Sequence, residues 1–360
     1  MKKIFVISNT TFSIEKFRLH YLSKLKNYEF EIYTPNKIVN SKTKFKNINF
    51  KKFNSKNLFD DLSNIYKIIK KNRSKILLVY SFKYQFITSL IKIILFKKFK
   101  IISIIAGKGS LSIGGLGQRL LFLIISKFIM MASNVIICIN PFDQKYFNAR
   151  TTKKIDMIPT EGISFSSYFK IKNNQKKFIF FSRLINEKGI YDYIELAKKV
   201  KKKNPKLKFY VCGSFKKEVV GQSIFNTNKT IKKYLNINKK FVKYLGYRKN
   251  YIDIFKKMDC LISPSLTEGA GTSVMEAMMS GLFVIGYKNS GHKYVISGTK
   301  NIICNTNDVN SLEKSLEDYL NLSSKKLKVI ANNSREKIIK NFLTKNVCLK
   351  FHNIMNNHIG

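Results

Sequence analysis

Acidic residues are scarce in this 360-residue chain: 21 Asp and Glu stand against 67 Lys and Arg, for a formal net charge of +46. Codons of an AT-rich coding sequence favour Lys, Asn, Ile, Phe and Tyr, and account for much of the lysine. They do not remove carboxylates, so the deficit implies an anionic partner. Nucleic acid, an anionic membrane surface and a phosphorylated substrate all qualify. Histidine is rarer still, at four residues with no HExxH pattern and no cluster, so no metal site is indicated. The cysteines (Cys138, Cys212, Cys260, Cys304 and Cys348) are odd in number, scattered and never in CxxC spacing, and read as buried reduced thiols of a cytoplasmic protein. No unbroken apolar run reaches transmembrane length. The stretch Leu111 to Ile139 comes nearest, but Gly114, Gly115, Gly117, Arg119, Lys127, Ser133 and Asn134 interrupt it. It predicts a helix over roughly 116–131 and a strand at 135–139. Met1-Lys2-Lys3 followed by Ile4 to Ile7 lacks the length and cleavage site of a signal peptide, and reads as a buried first strand. The Gly-rich stretch 107–117 contains no GxxxxGK[ST] pattern, which excludes a P-loop and leaves a lid or acceptor loop.

Hydrophobic residues make up 44% of the chain, enough for two domains of ordinary size, each with its own core. Short continuous apolar runs recur at Ile4–Ser8, Ile76–Ser81, Ile101–Ile105, Val135–Ile139 and Ile155–Ile158. After a polar stretch at Ser166–Lys177 they resume at Phe178–Ser182, Lys208–Cys212, Phe241–Leu245, Cys260–Ser263, Phe283–Gly286 and Asn301–Cys304. Unalternating runs separated by helix-length segments suit parallel strands covered on both faces. The pattern predicts an α/β protein of two doubly wound Rossmann-like domains facing a cleft, with ligands at the carboxyl ends of strands. Residues 84–100 mix Phe86, Ile87, Leu90 and Ile94 with Lys92, Lys97, Lys98 and Lys100. They read either as a core-packed helix with solvated lysines or as a basic amphipathic surface on anionic lipid.

Two constellations carry chemistry. Arg183 and Lys188 lie in Ser182-Arg183-Leu184-Ile185-Asn186-Glu187-Lys188-Gly189, where a strand gives way to a helix. A planar fork and a point charge on such a loop can hold one diphosphate, and Gly189 permits close backbone approach. As loop residues, both cations are expected to contribute little to the core. The second runs from Ser263-Pro264-Ser265 through Glu268-Gly269-Ala270-Gly271-Thr272 to Glu276. A helix starting near Gly271–Ser273 would offer free N–H groups and a positive dipole end to an anion. Glu268 before the turn and Glu276 within the helix are spaced to meet a sugar and a ribose, with phosphates between them. The alternative for Glu276 is the solvent face of an ordinary capped helix.

Together these segments resemble glycosyltransferase family 4, the retaining GT-B enzymes. Arg183…Lys188-Gly189 matches the family's Arg-x4-Lys-Gly element, and Glu268…Glu276 its Glu-x7-Glu signature. Tyr244-Leu245-Gly246-Tyr247-Arg248 and Met258 through Ser265 match its strand-end and Pro-Ser segments, so the resemblance covers most of 177–320. In the first half, Ile105-Ala106-Gly107-Lys108-Gly109-Ser110 and Val135 through Asp143 are similar to a subgroup that builds capsule, O-antigen or other lipid-linked glycans. Three departures stand out: Ala106 where many members carry His, Lys108 where Leu is usual, and Phe283 where Pro is usual. The first leaves the acceptor-side contact open, with Gly107 and Lys108 as candidates.

The resemblance implies a GT-B-like fold: an acceptor-binding domain at 1–165, a nucleotide-sugar donor domain at 166–345, and a terminal helix at 346–360 packing back on the first domain. It implies transfer of a hexose or N-acetylhexosamine, with retention, from a nucleotide-diphosphate sugar, a UDP-sugar by prevalence, to a lipid-linked or other saccharide acceptor. Arg183, Lys188 and Glu268 would be catalytic. Gly269, Ala270, Gly271, Thr272, Glu276 and Tyr247 would bind the donor. No metal or cofactor would be needed, and the enzyme would sit peripherally at the inner face of the cytoplasmic membrane. Two rivals remain: a nucleotide-sugar 2-epimerase of similar architecture, and a basic non-enzymatic nucleic-acid-binding protein.

Overall fold

A computed structural model describes residues 1–35, 45–71, 75–95, 98–164, 175–215, 228–248 and 250–359. Most of the Ser166–Lys177 linker reading lies outside them. The chain forms two units, Met1–Gly162 with Thr344–Gly360, and Ile163–Leu343. These divisions fall a few residues from those read in the sequence.

The first unit is built on seven parallel strands: β1 (Lys2–Ile7), β2 (Tyr28–Thr34), β3 (Ile48–Lys52), β4 (Ile76–Tyr80), β5 (Lys100–Ile105), β6 (Val135–Cys138) and β7 (Asp156–Met157). Their spatial order is β3-β2-β1-β4-β5-β6-β7, with Lys2 opposite Tyr28 and Phe5 opposite Leu77. The central β4 and β6 are buried at every residue, as their unbroken apolar sequences require, while β3 at the edge is half-exposed. The helix Thr344–Ile359 belongs to this unit and buries Val347, Phe351, Met355 and Ile359, one residue per turn. Phe351 packs on Tyr21 with ring centroids 4.9 Å apart, and Asn356 accepts a hydrogen bond from the Tyr28 hydroxyl at 3.1 Å.

The second unit carries six parallel strands: β8 (Lys177–Phe181), β9 (Lys208–Cys212), β10 (Val242–Tyr244), β11 (Cys260–Ser263), β12 (Phe283–Tyr287) and β13 (Ile302–Cys304). They lie in the order β10-β9-β8-β11-β12-β13, with Cys260 of β11 opposite both Phe178 and Phe283. Phe178, Phe180, Tyr193, Phe209, Ile285 and Tyr319 anchor a core between this sheet and its crossover helices. In both units the winding reverses at one place, between β1 and β4 and between β8 and β11. Such switch points leave a crevice at the carboxyl ends of the two strands, where ligands of open α/β sheets bind. Cys138, Cys212, Cys260 and Cys304 are buried, Cys348 is half-buried, and all five are free thiols.

Candidate active site

Both constellations arrive at the switch point of the second sheet. Arg183 and Lys188 leave the carboxyl end of β8, and Glu268 through Thr272 leave that of β11, the adjacent strand. The two loops are joined to each other. Glu187 carbonyl oxygen accepts from the Leu266 amide at 2.9 Å and from the Ser265 hydroxyl at 3.2 Å. Gly189 has φ +73°, and a Cβ there would stand 1.9 Å from the Pro264 carbonyl oxygen. Close approach at Gly189 is thus made to the neighbouring loop's backbone: this glycine seats one constellation on the other.

Lys188 Nζ donates to Glu268 Oε1 at 2.6 Å, with only 12% and 15% of the two side chains exposed. This corrects the expectation that Lys188 is a loop cation of no structural weight, since it neutralises a largely buried carboxylate eighty positions away. Arg183 lies within electrostatic reach of Glu268 and Glu187. Burial pushes the Glu268 carboxyl up, but the cations Lys188, which is also hydrogen-bonded to it, and Arg183 outweigh this and hold it below the ordinary carboxylate range.

The helix Thr272–Ser280 starts at Gly271, which has φ +71° and provides no side-chain cap. Its first turn thus keeps N–H groups and a positive dipole end directed at the loop. Glu276 is 7% exposed, so the solvent-face alternative does not hold. Ala270 is buried as well, while Gly269, Gly271 and Thr272 complete the turn. Tyr247 stands on the loop after β10, half-exposed at the sheet edge and two strands from β8.

Three supporting residues carry no motif that singles them out in the sequence. The amide of Gly291 donates to the Glu268 carbonyl at 3.0 Å, and Asn289 Nδ2 donates to the Ser265 carbonyl at 2.8 Å. Asn289 also caps the helix Ser290–Ile296 by accepting from the His292 amide. That Asn-Ser-Gly-His capping pattern is the one signal that could have marked them. His292 is fully buried beneath Gly271. Its Nδ1 lies 2.7 Å from the Tyr287 carbonyl, which can only accept, so Nδ1 carries the proton and Nε2 accepts from the Ser263 hydroxyl at 3.3 Å. Burial pulls its pKa down and keeps the ring neutral, although Glu268 opposes this. Among the described residues no three His, Cys, Asp or Glu side chains converge as a metal-binding group.

Gly107 and Lys108 belong to the first unit, on the loop after β5, one strand from that sheet's switch point. Gly107 has φ +100°, and the Lys108 ammonium lies over the Tyr146 ring at 4.7 Å. The switch point itself holds a polar group that the sequence did not mark. Arg18 pairs with Glu161 at 2.5 Å, donates to Ser13 Oγ at 3.0 Å and stacks on Tyr80 at 4.3 Å.

Two doubly wound parallel α/β units, with a cationic, glycine-capped crevice at the switch point of the second, define the class of fold. Residues 165–337, nearly all of the second unit, match the family model described as glycosyl transferases group 1. A 171-residue stretch is 25% identical to the phosphatidylinositol N-acetylglucosaminyltransferase gpi3 subunit of Schizosaccharomyces pombe, covering 46% of this chain and 36% of that protein. The chain therefore spans about a third of the length of that relative. Among solved structures, sucrose-phosphate synthase from Thermosynechococcus elongatus superposes with a TM-score of 0.80 at 13% identity, over 99% of each chain. Anabaena Alr3699/HepE in complex with UDP-glucose superposes with a TM-score of 0.74 at 13% identity, again over 99% of each. At such identities these structures speak for the fold, which is GT-B.

Proposed function

We propose that the chain is a retaining glycosyltransferase that moves a hexose or N-acetylhexosamine from a nucleotide-diphosphate sugar, a UDP-sugar, to a lipid-linked saccharide in cell-surface polysaccharide synthesis of the capsule or O-antigen kind. The observation that carries this reading is the meeting of Arg183, Lys188 and Glu268 with a glycine-capped helix N-terminus at one switch point. The UDP-glucose held by the HepE neighbour supports the choice of donor. In the reaction, the bond between C1 of the sugar and the β-phosphate oxygen breaks, and an acceptor hydroxyl oxygen bonds to C1. The hydroxyl proton leaves with the diphosphate or to solvent. Negative charge builds on the departing diphosphate, where Arg183, Lys188 and the amides at Gly271 and Thr272 stabilise it. Glu268, fixed by Lys188, faces the sugar; Glu276 holds the ribose, and Tyr247 borders the nucleotide. Gly107 and Lys108 contribute on the acceptor side. The epimerase alternative needs a group that moves protons, and the one histidine near this site is neutral and committed to Tyr287 and Ser263.

With two cations and a helix terminus serving the diphosphate, divalent metal is dispensable. A thermal-shift screen of nucleotide sugars in the presence of a chelator tests both points, because a ligand that binds only the native state raises its melting temperature. Stabilisation by a UDP-sugar, unchanged when magnesium or manganese is added, is the expected result. Stabilisation or transfer that appears only with added metal would contradict it.

The first unit is also proposed to attach peripherally to the inner face of the cytoplasmic membrane. Over residues 1–160, 30 Lys and Arg stand against 7 Asp and Glu, a net +23 that favours anionic lipid. Among the described residues no helix is long and apolar enough to cross a membrane.

A further inference from the structure

The helix Leu116–Ala132 is apolar on both sides, yet one side alone is covered. Its inner face buries Phe122, Ser126, Ile129 and Met130. Phe122 stacks on Phe82 with centroids 5.3 Å apart, and Phe128 meets Phe86 edge-on at 6.0 Å. Opposite them, Leu116, Leu120, Leu123, Ile124 and Met131 recur at helical spacing and are 87%, 58%, 44%, 48% and 60% exposed. Lys127 falls in the same stripe and Arg119 flanks it, both exposed. A surface helix of a globular protein ordinarily carries polar residues along that line. A contiguous apolar stripe about 25 Å long, the length of 17 helical residues, marks a surface that something covers.

Charge indicates what covers it. Between Asp61 and Asp143 the sequence has 13 Lys and Arg and no Asp or Glu, and this interval contains the whole helix and the one packed beside it, Phe82–Ile94. Lys92 and Lys153 gather at the helix's carboxyl end, where their ammonium groups donate to the carbonyls of Ala132 at 2.9 Å and Met131 at 2.8 Å. A second copy of the chain would set this acid-free surface against another of the same sign. An anionic bilayer complements the cations and the apolar stripe together.

We infer that the helix Leu116–Ala132 is the membrane-docking face, lying in the plane of an anionic bilayer with Leu116, Leu120, Leu123, Ile124 and Met131 among the acyl chains and Arg119 and Lys127 at the phosphates. This rests on the peripheral-membrane reading above and gives it a surface. The chain contains no tryptophan, so a single introduced indole reports without background. Leu123→Trp is placed in the stripe, and Val329→Trp, at a position 47% exposed on the helix Ser324–Asn341, serves as the control. With vesicles of phosphatidylglycerol and brominated phosphatidylcholine, the emission of Leu123→Trp shifts to the blue and is quenched, while that of Val329→Trp does neither. In flotation at about 0.1 M salt the triple variant Leu116→Gln/Leu120→Gln/Ile124→Gln partitions at least about tenfold more weakly than wild type. The wild type keeps part of its binding at about 0.5 M salt, since apolar insertion is not screened. An unquenched Leu123→Trp, or a triple variant that floats like wild type, overturns this assignment and leaves the peripheral reading standing. Failure of the wild type to float on anionic vesicles at low salt removes both. Dimerisation in sedimentation experiments that the triple variant abolishes would assign the stripe to a second copy instead.

Discussion

Arg183→Ala is expected to lower the rate of sugar transfer about a hundredfold, corresponding to about 3 kcal/mol of lost transition-state stabilisation, with little change in melting temperature. Arg183 lies on the loop after β8 and contributes its charge to the crevice. Lys188→Ala is expected to lose as much rate, with a second effect of its own. Removing the ammonium leaves the Glu268 carboxylate largely buried beside the space that Lys188 filled, and stranding one member of such a pair costs up to about 3 kcal/mol of stability. The double variant Lys188→Ala/Glu268→Ala separates the two effects, because it removes both charges: melting recovers toward wild type and transfer does not. Steady-state kinetics with thermal denaturation of the four proteins measures this. Variants that retain transfer within a few-fold of wild type would remove the diphosphate from these residues, and recovery of transfer in the double variant would make the pair purely structural.

The second large effect is at Gly189. Alanine there must adopt φ +73° and place its Cβ 1.9 Å from the Pro264 carbonyl oxygen, a backbone atom that cannot swing aside. Left-handed strain and the displacement of one loop from the other together cost about 3 kcal/mol or more. For a unit of this size that lowers the melting temperature by roughly 6–12 °C. Gly246→Ala is the control, since Gly246 has φ +75° but nothing within 4 Å of the added Cβ. It meets the strain alone, about 1–2 kcal/mol. Equal melting of the two variants would show that the contact between the β8 and β11 loops has no energetic weight.

Physical signals differ in how legible they are in the sequence. The inner strands β1, β4, β5, β6, β8, β9, β11 and β12 are covered on both faces, and they read as apolar runs at nearly their observed positions. β2 and β3 escaped because they read Tyr-Glu-Phe-Glu-Ile-Tyr-Thr and Ile-Asn-Phe-Lys-Lys. Their charges pair across neighbouring strands: Glu31 of β2 meets Lys3 of β1 at 3.5 Å and Lys51 of β3 on its other side. Charged residues paired across strands interrupt the apolar pattern, and a search for continuous runs passes over such strands. At the site, the spacing of Arg183, Lys188, Glu268 and Glu276 was legible because it is local. The Lys188–Glu268 pair was not, since it joins loops eighty residues apart through the adjacency of β8 and β11. Gly189 was recognised as a point of close approach, but whether ligand or backbone comes near cannot be read from a glycine. Asn289, Gly291 and His292 work through main-chain bonds to Ser265, Glu268 and Tyr287, which need no particular spacing in the chain.

The grip proposed for the second unit holds a nucleoside diphosphate between the loops after β8 and β11, with Glu276 on the ribose. Calorimetric titration of the full chain with UDP, and with GDP, ADP and dTDP beside it, in the presence of a chelator, tests this most directly. UDP is expected to bind the wild type without metal, and Lys188→Ala and Glu276→Ala are each expected to raise its Kd by about 10- to 100-fold, the weight of a hydrogen bond to a charged group. Absence of binding by any of the four nucleotides, or equal affinity in wild type and both variants, would contradict it.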